Sequence, residues 1–81
     1  MDLELKLFAR ARDLAGAETI IVSVPEGCLV SDVRCALSEQ YPNLAPIIPS
    51  LHFAVDNRYV TDPMPVDAKA EIACFPPVSG G

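Results

Sequence analysis

Tryptophan is absent from this 81-residue sequence, histidine occurs once, and glycine occurs only four times, twice as the last two residues. Basic residues are also scarce, six Lys and Arg against eleven Asp and Glu, for a net charge of −5. No basic stripe is available to neutralise phosphates, which excludes nucleic acid as the expected partner and makes a positively charged protein more plausible. No apolar run approaches the roughly 20 residues of a membrane-spanning helix. Met1-Asp2-Leu3-Glu4 places acids where a secretory signal carries positive charge, so a cytoplasmic protein without membrane association is expected. The three cysteines, Cys28, Cys35 and Cys74, form no CxxC pair, and their odd number argues against a disulfide framework. With His52 as the only imidazole, a zinc site has too few ligands, and no metal or bound cofactor is expected. No phosphate-binding loop or nucleophile–base pair is visible, so a stand-alone enzyme is the least expected class.

What is present is a well-patterned single domain, 51% hydrophobic. Leu3-Glu4-Leu5-Lys6-Leu7 alternates as a strand with its leucines inward, which leaves Phe8 on the outer face with Glu4 and Lys6. Arg10–Ala15 reads as a short helical turn closed by Gly16. Thr19–Val24 alternates again, with Ile20, Val22 and Val24 inward, until Pro25 stops it. Val30, Val33, Arg34, Leu37 and Tyr41 follow helical spacing, with Ser31 or Asp32 able to satisfy the first free amides. Asn43–Ser50 is an irregular connection or a single helical turn. Phe53–Val55 and Arg58–Val60 are short strands about an Asp56-Asn57 turn, Thr61–Ala68 is loop, and Glu71–Phe75 is the last strand, with Ile72 and Cys74 inward. Cys35 and Cys74 fall at apolar-looking positions and are expected in the core. Cys28 falls in a loop, where exposure is expected, and His52 is expected to be structural or exposed.

The order β-β-α-β-β-β with one main helix predicts an α+β domain whose sheet is covered on one face only. The open face carries Phe8 and Phe75; the parity of Tyr59 across its turn is open. Exposed aromatics beside the chain end suggest a docking patch.

The ending Phe75-Pro76-Pro77-Val78-Ser79-Gly80-Gly81 is the most informative segment. Each proline fixes φ near −65° and lacks an N–H, which stiffens the base of a tail and withdraws it from the sheet. Two glycines without Cβ can thread a narrow channel and leave the final carboxylate free of steric cover. The expected division is therefore a domain over residues 1–75 and a flexible tail over 76–81.

Leu7-Phe8-Ala9-Arg10-Ala11-Arg12-Asp13-Leu14-Ala15-Gly16, the Ala54-Val55-Asp56-Asn57 hairpin and FPPVSGG together resemble the small sulfur-carrier subunit of molybdopterin synthase (the MoaD type), in the ubiquitin-like β-grasp superfamily. The resemblance spans the whole chain. It departs at Asp67-Ala68, where the family commonly has Asp-Gly, which touches turn geometry rather than chemistry. It implies a β-grasp fold, a mixed sheet of four to five strands packed on one main helix. It also implies that Gly81 is the reactive end in molybdenum cofactor biosynthesis. An E1-like adenylating enzyme would use ATP to turn the Gly81 carboxylate into an acyl-adenylate. A sulfur donor would displace AMP to leave a thiocarboxylate, whose sulfur would attack cyclic pyranopterin monophosphate inside the large synthase subunit, the second partner. Two loaded carriers would be needed per dithiolene, within a heterotetramer. The resemblance further implies that uncharged Val78, Ser79 and Gly80 enter the partner with Gly81, that Pro76 and Pro77 lie at its mouth, and that Phe8, Tyr59 and Phe75 anchor beside it. Acid and base groups would come from the partners, so the chain would be a carrier without an active site of its own. Arg10 and Arg12 match positions near the family's interface and fit a solvated surface equally well. The alternatives are another ubiquitin-like sulfur carrier, for thiamine or tRNA thiolation, and a non-covalent ubiquitin-like binding module.

Overall fold

The computed structural model describes residues 1–67 and 69–77; Ala68 and the tail residues Val78, Ser79, Gly80 and Gly81 lie outside the described residues. Strand β1 (Asp2–Leu7) turns through helix α1 (Ala9–Ala15) into β2 (Thr19–Ser23). Helix α2 (Val30–Gln40) follows, then two short 3-10 turns at Pro42–Leu44 and Ile48–Ser50. Strands β3 (His52–Val55), β4 (Arg58–Val60) and β5 (Ile72–Phe75) complete one mixed sheet, ordered β2-β1-β5-β3-β4. The expected element order is observed, with Asn43–Ser50 resolved into 3-10 geometry and Glu71 just outside the last strand.

β1 and β2 form the antiparallel pair expected from consecutive alternating segments, with Leu5 opposite Ile20 and Leu3 opposite Val22. β5 then inserts beside β1 in parallel, pairing Leu5 with Ile72 and Leu7 with Cys74. On its other side β5 runs antiparallel to β3, with Phe53 opposite Cys74. Leu3, Leu5, Leu7, Val22, Phe53, Ile72 and Cys74 thus share one buried face, covered by Val30, Val33 and Leu37 of α2 and by Leu44, Ile48 and Leu51 of the connection. Among the described residues no polar or charged residue is fully buried, so the interior is sealed by apolar contact alone.

Local chemistry explains the boundaries. Gly16 ends α1 in the left-handed conformation, φ 73°, and its N–H reaches the Arg12 carbonyl at 2.9 Å. Asp32 accepts the Leu29 N–H at 2.8 Å at the start of α2. Asp56 and Asn57 both have positive φ, 51° and 68°, the pairing that a two-residue hairpin turn requires. Two cysteine expectations are corrected. Cys35 is exposed, because it points away from the side of α2 that holds Val30, Val33 and Leu37. Cys28 is buried although it lies in a loop, since the Val66 N–H donates to its carbonyl at 3.0 Å and closes the 61–67 segment over it. Cys74 is buried as expected.

Ala9 has φ 53°, a region that L-residues with a Cβ avoid. This kink lets the chain leave β1 and start α1 while Phe8 stays outside. Ala9→Gly is expected to raise unfolding stability by about 0.5–1 kcal/mol, measured by urea titration, whereas Leu37→Ala should lower it by roughly 2–5 kcal/mol.

Candidate functional site

The uncovered face of the sheet follows from the same register. The outward position on β5, Phe75, stands directly across from His52 on β3, and Ala73 across from Ala54, which in turn faces Tyr59 on β4. Pairing therefore settles the parity of Tyr59: it shares the outer face with Phe75. Their rings meet edge to face, centroids 5.5 Å apart at 70°. His52 completes the cluster, 5.9 Å from the Phe75 ring and 6.4 Å from Tyr59. Tyr59 is 76% exposed and Phe8 47%, while Phe75 is half-buried beneath its neighbours.

Phe8 lies on the same face but makes no ring pair with the other aromatics. It flanks a shallow depression of about 140 Å³ whose floor includes Ala54 and Ala73 and whose rim includes Lys6. The small side chains of Ala54 and Ala73 open this gap between Phe8 and the His52–Tyr59–Phe75 cluster. Arg12 borders a second hollow beside Phe8, and both Arg10 and Arg12 are exposed. A longer groove of about 610 Å³, lined by Arg34, His52, Asp62 and Pro77 among others, runs alongside the exit of β5.

After Phe75 the chain leaves the sheet at Pro76, half-buried, and Pro77, exposed. The structure thus places Phe8, Tyr59 and Phe75 on the outer face of the sheet, with Pro76 and Pro77 continuing the chain from the end of β5. The remaining proposed site residues, Val78, Ser79, Gly80 and Gly81, lie outside the described residues. His52 is the member of the surface that sequence reasoning missed as a site residue. The available signal was its parity, two residues before Ala54 in an alternating strand.

The described residues offer little chemistry of their own. They contain no group of three or more His, Cys, Asp and Glu able to hold a metal ion, and no helix long and apolar enough to cross a membrane. The His52 side chain lies on the outer face of the sheet while Cys28 and Cys74 are buried in the core, so neither buried thiol can pair with the imidazole. Burial pushes the Cys74 thiol up to about 12, with the Arg34 charge pulling weakly the other way. Burial and then the Asp32 carboxylate raise the Cys28 thiol as well.

Comparison with known proteins was informative over the whole chain. The profile described as the ThiS family matches residues 5–81. A protein of Arabidopsis thaliana named molybdopterin synthase sulfur carrier subunit is 31% identical over 81 residues, covering 100% of this chain and 84% of that one. A protein of the same name from Homo sapiens is 28% identical over 82 residues, covering 98% and 93%. Among solved structures, SAMP1 from Haloferax volcanii superimposes with a TM-score of 0.83 at 29% identity, covering 100% of both chains. The fold is therefore the ubiquitin-like β-grasp expected from the sequence.

The thiol environments predict that a thiol-specific reagent near neutral pH labels Cys35 alone in the folded protein, and all three cysteines after denaturation; rapid labelling of Cys74 in the folded protein would contradict its placement. In the unfolded chain the Cys74 thiol ionises near 9.0, and folded near 12, so the folded state holds this proton more tightly. Its contribution to stability is complete below pH 9 and declines as pH rises toward 12. Cys74→Ala should flatten that alkaline loss in a series of urea titrations.

Proposed function

The chain belongs to the ThiS family, and on that premise we propose that it is the sulfur carrier of molybdenum cofactor biosynthesis. The observation that supports this reading is where the last described residues, Phe75 to Pro77, leave the sheet. β5 lies in the middle of the sheet, its last residue Phe75 joins the exposed aromatic cluster, and Pro76-Pro77 follow it beyond the end of the strand. A protein that docks on the aromatic face therefore lies beside Pro76, from which the chain continues to Gly81.

The chemistry assigned to Gly81 follows from the weakness of a carboxylate as an electrophile. An E1-like adenylating enzyme joins the carboxylate oxygen to the α-phosphorus of ATP and releases diphosphate. A sulfur donor attacks the carbonyl carbon, AMP leaves with the electron pair, and reduction or exchange at the donor frees a thiocarboxylate on Gly81. The large synthase subunit then receives the tail, and the terminal sulfur attacks cyclic pyranopterin monophosphate. Two carriers supply the two dithiolene sulfurs, which makes a heterotetramer the natural assembly. The carrier provides reach and docking; the partners provide ATP, acid, base and the cations that hold the terminal anion.

Tyr59, Phe75 and His52 suit this role because they are already clustered before a partner arrives, which limits the side-chain ordering that docking demands. The net charge of −5 favours approach to a basic partner. The likeness to SAMP1, a small archaeal modifier protein, favours a second reading in which the same activated Gly81 is passed to an amine on another protein. The two readings differ in the acceptor, not in the activation.

Incubation with the adenylating enzyme, ATP and a sulfur source is expected to give a mass gain equal to replacing one oxygen by sulfur, mapped to Gly81 by fragmentation. Formation of amide-linked conjugates without that gain would favour the modifier reading. Phe75→Ala is expected to weaken association with the large subunit at least tenfold, on the order expected for a central aromatic anchor. The same change should lower stability by less than it lowers binding, as read by calorimetry and urea titration; an equal loss of both would place Phe75 in the core.

A further inference from the structure

The edge of the sheet that carries Tyr59 and His52 is thinly supported. β3 has four residues and β4 three, and a hairpin of this size has little stability alone. On β4 only Val60 reaches the interior, and only in part; Arg58 and Tyr59 are exposed. The turn end is pinned by Asp56, whose N–H donates to the Glu71 carbonyl at 2.9 Å and whose carboxylate accepts the Glu71 N–H at 3.0 Å. At the open end β3 is paired with β5, His52 opposite Phe75, and a further restraint reaches both β3 and β4.

One side chain from the far side of the sheet supplies it. Arg34 of α2 donates from Nη1 to the carbonyls of Ile48 and Leu51, and Leu51 immediately precedes β3. Its Nη2 donates to Asp62 Oδ1 at 2.8 Å, two residues beyond the end of β4. Its Cζ stands 4.9 Å over the ring of Phe53, the buried neighbour of His52. The α2 backbone adds to this, with the Ser31 N–H donating to the Asp62 carbonyl at 3.0 Å and the Val30 N–H to the Met64 carbonyl at 2.9 Å.

This arrangement is poorly explained by stability alone. The Arg34 side chain is only 21% exposed, and its buried Nε has no hydrogen-bond partner. An unsatisfied buried donor is unfavourable, and an apolar side chain of similar volume would occupy the same helical position without it. What an apolar side chain lacks is a rigid fork able to bond both ends of the hairpin at once.

We propose that Arg34 is a positioning residue for the docking face: it clamps the entry to β3 and the exit from β4, and so holds His52 and Tyr59 in register against Phe75. The inference rests on the docking reading above and extends it to a residue that does not touch the partner.

The full chain carrying Arg34→Met, Arg34→Lys or Asp62→Ala tests this, each variant held at a temperature where it is fully folded. Two readouts are taken: nuclear Overhauser contacts between the Tyr59 and Phe75 rings in the free protein, and affinity for the recombinant large synthase subunit of the same organism. Arg34→Met is expected to lose the ring contacts and to bind about tenfold more weakly, while amide-exchange protection of β1 and β5 stays intact. Asp62→Ala should move both readouts in the same direction by less, and it decides the matter if Arg34→Met does not fold. Arg34→Lys, which keeps the charge without the fork, should restore only part of the loss. Wild-type ring contacts and affinity in Arg34→Met, or in Asp62→Ala where that variant decides, would overturn the proposal. If Tyr59→Ala and Phe75→Ala leave affinity unchanged, the docking reading itself fails, and the ring contacts of the free protein still judge the role of Arg34.

Discussion

The parallel pairing of the first and last strands is the constraint on which the rest of this structure depends. Leu5 with Ile72 and Leu7 with Cys74 lock β5 into the middle of the sheet rather than at its edge. Period-two alternation then leaves Phe75 no choice of face: with Ile72 and Cys74 inward, it must point outward. The same pairing brings the residue after β1, Phe8, and the residue after β5, Pro76, to the same end of the sheet. β5 is thereby flanked by a strand on each side up to the point where the chain leaves the sheet.

Around that constraint the molecule divides its apolar residues between two duties. Those on the inner face and on α2 close a core that, among the described residues, contains no fully buried polar or charged residue. A smaller set, Phe8, Tyr59 and Phe75 with His52, remains outside on a chain of 81 residues, for which exposed aromatic area is a burden. Ring-on-ring contact offsets part of that burden. Reactive side chains are kept apart from it, with two of the three thiols inside the core and held in their neutral form.

Much of this was legible in the residues. Alternation identified three of the strands, β1, β2 and β5, with their buried faces, helical spacing identified α2, and Asp56-Asn57 identified a turn, at which the structure has positive φ for both residues. The outer aromatic surface was legible in part, because the parity of Phe75 follows from its own strand alone. Tyr59 and His52 were harder, since their face depends on which strands pair and in what register, and register is a long-range property. The cysteines show the limit of reading hydrophobicity residue by residue. Cys35 is apolar but sits on the wrong side of its helix, and Cys28 is in a loop that folds back over it. Arg34 is the clearest case: its place in an apolar helical pattern was visible, but the reason, three acceptors gathered from distant segments, exists only in the folded chain.

The central claim is that the useful chemistry resides in one terminal carboxyl group presented by an otherwise inert domain. The most direct measurement is the molybdenum cofactor content of cells in which this chain, with Gly81 removed, is the sole available carrier. The account predicts none, with the truncated protein present at normal levels and normally folded. Cofactor at the level supported by the intact chain would contradict it.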